Sequence, residues 1–182
     1  MQHFRLLVAS ALLFLMQSVH AGVIWSAIAL DAPTTAKLRE DPEAVARLLQ
    51  EEPQKDRSVD LDKAWHAIHF LLTGSNGPTA AIESNVILGG KSLSTNPAYG
   101  PARLLSAPEV HQISTILERL PTQALAAKYD PRAMEVAKIY PEGMWAREVQ
   151  EALQYLLHSY ARVRSFYMAA AERGDAVLVF LE

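Results

Sequence analysis

The C-terminal stretch of this sequence sets the tightest limit on its fold. From about Trp145 onward, Val149, Leu153, Leu156, Tyr160, Val163 and Tyr167 recur at spacings of four and three. At 3.6 residues per turn they line one side of a long helix as a continuous apolar seam. Gly174 then stands where a helix commonly closes on a left-handed residue. Directly after it, residues 176–181 (AVLVFL) are apolar without alternation. A strand of that kind is covered on both faces and belongs in the middle of a sheet. These two elements in succession require a sheet with a long helix lying on it, and loss of the strand is expected to unfold the domain.

The rest of the chain supplies further elements. Residues 22–30 (GVIWSAIAL) read as a buried strand, rich in β-branched and aromatic residues. Asp41-Pro42-Glu43 is a helix start, with Val45, Leu48 and Leu49 facing inward. Residues 53–58 form a polar loop. Asp60 is expected to cap a helix that runs to about Thr73 and stops at Gly74. Residues 85–88 read as a short strand ahead of Gly89-Gly90, and residues 99–105 as a turn into another. Ser106 and Glu109 form a capping box, and the stripe Val110, Ile113, Leu117, Leu120 follows it. Asp130-Pro131 starts one more short helix, which closes before Pro141. Helices outnumber strands and separate them. The expected class is therefore α/β, helix-rich, a small mixed sheet flanked by helices, with parallel pairs among its strands.

At the other end, residues 1–21 have the organisation of an export signal. Arg5 is the positive charge, residues 6–16 are an uncharged apolar run, and Val19 and Ala21 occupy the −3 and −1 positions before a cut. The run is shorter than the roughly 20 apolar residues that a bilayer requires. A first helix of the domain would be amphipathic, and this stretch is apolar all round. Cleavage is expected before Gly22, leaving residues 22–182 as one domain in the periplasm or outside the cell, with no membrane insertion after the cut. No cysteine is present to carry a lipid anchor, a disulfide or a thiolate zinc site. Removing the leader moves the net charge from −3 to −4, because the leader holds one Arg and no acidic residue. Mild acidity offers no basic face to a phosphate backbone, so nucleic acid is not an expected partner.

One segment could carry chemistry. In residues 60–73, Leu61, Trp65, Ile68 and Leu72 form an apolar stripe, while Asp62, His66, His69 and Thr73 share a narrow polar one if the whole segment is helical. Asp62 and His66, four apart, could then hydrogen-bond. Three readings are open: a carboxylate orienting a general-base imidazole, a metal site of two histidines and a carboxylate, or histidines satisfied as core or groove residues by hydrogen bonds to backbone or to neighbouring loops. The histidines are three apart, not four with a Glu between, and no G-x-S-x-G supplies a nucleophile. No metal site is assigned and no cofactor is implied. In a second string, Tyr99-Gly100-Pro101-Ala102-Arg103, the Arg could clamp an anion or sit in an internal ion pair that fixes the turn. Trp65, Tyr99 and Arg103 are the candidate ligand-binding residues. Gly89-Gly90 could mark a close backbone approach. Trp25 and Trp145 read as core, and His111 and His158 as solvated.

The strings GVIWSAIAL, LDKAWHAIHFLLTG, ILGG, YGPARLLSAPEV, YDPRAM, IYPEGMW and FYMAAAERGDAVLVFLE span nearly all of residues 22–182. In this order they resemble the YfbM-like family, bacterial domain of unknown function 1877. The resemblance implies a compact three-layer α/β domain and no assigned activity. Its recurrent positions correspond to Asp62, Trp65, His66 and His69, with Tyr99 and Arg103. Family members resemble this chain from Gly22 onward, so the leader is an addition to an otherwise complete domain. The expectation is a non-enzymatic binding or interaction protein of the cell envelope, an immunity-type inhibitor being one specific form, with an envelope or secreted protein as partner. The alternative is a small hydrolase or ligand-binding enzyme using His66, His69 and Asp62. The sequence leaves oligomeric state open.

Overall fold

A computed structural model of the chain describes residues 22–41, 43–51, 55–93 and 100–182. The expected leader over residues 1–21 lies outside the described residues, as do Pro42, Pro53 and Tyr99.

The chain opens with β1 (Trp25–Leu30), buried throughout. Asp31 turns it into α1 (Ala32–Glu40) by accepting from the Thr34 amide. That helix buries only Thr35 and Leu38, too little for periodicity to reveal it. α2 (Glu43–Leu48) follows Asp41, whose carboxylate accepts from the Glu43 amide and pairs with Arg47. Then come β2 (Ser58–Asp60), α3 (Trp65–Thr73), a 3-10 turn at Ile82–Ser84, α4 (Asn85–Leu88), β3 (Lys91–Ser92) and β4 (Arg103–Leu105). The second half holds α5 (Ala107–Arg119), α6 (Thr122–Ala126), α7 (Pro131–Val136), α8 (Met144–Arg147), α9 (Val149–Arg173) and β5 (Ala176–Leu181).

The strands form one sheet in the order β2-β1-β5-β4-β3. β5 sits at its centre, as its unbroken apolar sequence requires. Every pair is antiparallel, contrary to the expected parallel pairs. The register explains why: Leu30 lies opposite Ala176 and Trp25 opposite Leu181. α9 brings the chain back to the end where β1 stops, so β5 retraces β1. An order of alternating helices and strands does not specify which end of the sheet each helix returns to.

Period-two alternation divides the sheet residues between two cores. Trp25, Ala27, Leu105, Val177 and Val179 face the larger one, under α3, α4, α5 and α9. Ile28, Leu30, Leu104 and Leu178 face a smaller one with Leu38 of α1 and Val45 of α2. Helices thus cover both faces, giving the three layers that the resemblance implies. On α9, Leu156, Tyr160, Val163 and Tyr167 are fully buried, whereas Val149 is exposed and Ala152 takes the inward position of the first turn. The Tyr160 and Tyr167 hydroxyls donate to the carbonyls of Leu120 and Val86, anchoring α9 to the neighbouring helices. Burial pushes the Tyr160 phenol up to about 12. The expected long helix from about Trp145 is two helices, α8 and α9, separated at Glu148, where the backbone is not helical.

Two further expectations are corrected. Residues 85–88 are a helical turn rather than a strand, since a short apolar run fits either where both sides are covered. Asp60 does not cap a helix. Val59 and its neighbours pair with β1, and that pairing overrides the local cap signal.

Candidate functional site

The segment around α3 is assembled from Asp60 onward. The Asp60 carboxylate accepts from the Asp62 amide at 2.7 Å, turning the chain out of β2. Asp62 has a φ of 46°, a left-handed conformation that Asp tolerates better than most residues. α3 therefore starts at Trp65, and Asp62 is outside it. The Asp62 carboxylate accepts from the Tyr155 hydroxyl of α9 at 3.0 Å, not from His66. Burial, and then Asp62, push the Tyr155 phenol up to about 12. The expected four-residue stripe thus reduces to His66, His69 and Thr73. Gly74 closes α3 in the left-handed conformation, its amide returning to Phe70.

Both histidines are held by backbone. His66 Nε2 lies 2.8 Å from the Asn76 carbonyl, and its Nδ1 accepts from the Tyr140 amide at 3.0 Å. A carbonyl accepts and an amide donates, so His66 is the neutral ring protonated on Nε2. His69 is 0% exposed, and its Nε2 lies 2.9 Å from the Gly77 carbonyl. Its Nδ1 is buried with no partner among the described residues. A proton there would be an unpaired buried donor as well as a buried charge. Burial, outweighing the Gly77 bond, holds the His69 imidazole below its usual range. Thr73 donates to the His69 carbonyl and accepts from the Ser75 amide. The Asn76 side chain donates to the Ala137 carbonyl. Both histidines therefore fasten the loop after α3 to the helix, and His66 also ties the helix to the segment before Pro141.

Trp65 extends this cluster toward the start of the domain. Its ring stacks on His66 and lies 6.2 Å from that of Tyr140. Its indole N–H donates to the Val23 carbonyl, and the Val23 amide donates to the Tyr140 hydroxyl. A Cβ on Gly22 would meet Lys63 at 2.3 Å and the Tyr140 hydroxyl at 2.5 Å, so the chain packs closely here. Tyr140, Asn76, Gly77 and Tyr155 complete the arrangement without standing out in the sequence. The one signal is that Tyr140 lies in IYPEGMW, one of the strings that carry the family resemblance together with the histidines.

Arg103 lies elsewhere. It opens β4 on the face of Leu105 and Val179, and lines a cavity of about 150 Å³ with Trp25, Ile87, Leu88 and Leu181. It forms no ion pair among the described residues, contrary to that alternative for the turn. Its Nη1 donates to the Gly90 carbonyl at 3.4 Å, the outer limit for such a bond. Gly90 has a φ of 94°, and a Cβ there would stand 2.9 Å from the Leu104 backbone. The close backbone approach at Gly89-Gly90 is thus real, and it serves packing on β4. Tyr99 lies outside the described residues. Trp25 and Trp145 are core, each 1% exposed, and His111 and His158 are exposed. Among the described residues no three His, Asp or Glu side chains converge as metal ligands. No helix among them is long and apolar enough to cross a membrane.

The profile of a domain of unknown function, DUF1877, matches residues 22–180. The chain belongs to this family. Among solved structures it is similar to YfbM from Escherichia coli, described as a protein of unknown function. The two are 22% identical with a TM-score of 0.70, over 87% of this chain and 99% of that one. At that identity the likeness to YfbM is one of fold. No curated protein matches the chain.

Proposed function

We propose that this DUF1877 domain is exported, is freed by a cut before Gly22, and acts outside the cytoplasm as a non-enzymatic interaction domain. The observation that carries the reading is the engagement of both histidines. A general base needs a lone pair that substrate can reach. The lone pair of His66 is taken by the Tyr140 amide, and that of His69 is sealed in the interior. Their bonds instead fix the shape of the surface around Trp65. Support for the position of the cut comes from residues 22–24. Val23 is bonded on both sides to the Trp65–Tyr140 cluster, and Ile24 exchanges two backbone hydrogen bonds with Glu182. A cut after Ala21 leaves these contacts whole.

Two open clefts of about 510 and 500 Å³ flank β2 and share Lys55, Ser58, Val59 and Arg162. An exported protein is the partner class, and neutralising an exported toxin is a specific form of the proposal. The test is fractionation of cells expressing the whole chain, with N-terminal sequencing. The expected product lies outside the cytoplasm and begins at Gly22. A cytoplasmic product beginning at Met1 rejects export. Crosslinking in the envelope fraction then tests interaction: a specific adduct weakened by Arg162→Glu supports it, and an adduct indifferent to that change removes the β2 clefts as the contact surface.

A further inference from the structure

Arg103 occupies a position where strand alternation calls for an apolar residue. Its neighbours on the same face, Leu105 on its own strand and Val179 directly opposite, are 0% and 2% exposed. The guanidinium carries five donors and a permanent charge, yet its acceptor among the described residues is one carbonyl at 3.4 Å. No carboxylate of those residues pairs with it. The cavity beside it is otherwise apolar, with Trp25, Ile87, Leu88, Val179 and Leu181 in its wall. The Trp25 indole N–H is already committed to the Ile87 carbonyl at 2.8 Å, so that ring presents carbon rather than a donor. A volume of about 150 Å³ matches a tail of roughly six carbons.

From this we infer a binding site for a carboxylate bearing a short apolar tail. Arg103 receives the carboxylate through paired N–H donors, a geometry matched to two carboxylate oxygens, and the tail fills the cavity against Trp25. Two sources share that chemistry: a free small carboxylic acid, and the C-terminus of a peptide ending in an aliphatic residue. The inference is independent of export and of the β2 clefts, and its failure leaves both untouched.

The experiment uses protein purified from expression of the full chain. The Trp25 indole N–H signal is followed by NMR during titration with 3-methylbutanoate, with the neutral amide of that acid, with Gly-Gly-Leu, and with Gly-Gly-Leu-amide. The free carboxylates are expected to shift the signal saturably and the amides to leave it unmoved. Arg103→Gln is expected to weaken binding at least roughly tenfold. Arg103→Lys should weaken it less, because it keeps the charge and loses the paired donors. Tighter binding of 3-methylbutanoate than of the tripeptide identifies a small-molecule site, and the reverse a C-terminus site. Equal response to acid and amide, no response at millimolar concentration, or unchanged affinity in a folded Arg103 variant overturns the inference. If Arg103→Gln does not fold, the acid–amide comparison and Arg103→Lys still decide.

Discussion

His69 illustrates how a polar residue becomes part of a core. It satisfies Gly77 with one nitrogen and leaves the other buried without a hydrogen-bond partner among the described residues. His69→Ala removes that bond and opens a cavity, and should destabilise by roughly 2–4 kcal/mol in urea unfolding. His69→Gln retains a donor and should lose less. The ring also couples stability to pH. Its folded pKa is depressed, so the unfolded chain binds the proton first. The stability associated with the neutral ring is whole above about pH 6.5, the unfolded value. It falls as the pH drops from there to the depressed folded value, then levels off. Unfolding midpoints measured at about pH 7.5 and about pH 5.5 should differ less in His69→Gln than in the parent; an unchanged difference would contradict this account.

Elements differ in how clearly local sequence announces them. The Glu109 carboxylate accepts from both the Ser106 amide and the Ser106 hydroxyl, and α5 starts where that box predicts. Glu109→Ala should destabilise by about 1 kcal/mol, measured by thermal melting. α7 was equally legible, because the Asp130 side chain accepts from the amides of Arg132 and Ala133. Where a signal depended on distant pairing it misled. Asp60 resembles a cap, but β1 recruits its segment as a strand and shifts the start of α3 to Trp65. That shift dismantled the expected Asp62–His66 pair. The histidines stand out in the sequence, but their partners at Asn76, Gly77 and Tyr140 are backbone groups, which no side-chain pattern encodes. Arg103 was visible as a candidate. Its separation from His66 was not, because α4 was read as a strand and the sheet order was unknown.

At the scale of the whole molecule, the two residue stretches furthest apart in the domain are neighbours at its centre. β1 and β5 pair over six residues each, and β4 docks on the far side of β5. Asp175, 3% exposed, pairs with Arg57 and Arg173 where β5 begins. Deleting residues 176–182 would leave β1 and β4 without their shared neighbour. The truncated chain should show no cooperative unfolding transition by circular dichroism, and a sharp melt would refute the central role of β5. The same pairing has a consequence in time. Synthesis proceeds at about 5–20 residues per second, so β1 waits on the order of ten seconds before β5, its partner over all six residues, is made. Through that interval one edge of β1 has no strand to pair with, and it is during this delay, before the sheet can close, that a chaperone would find the chain still open.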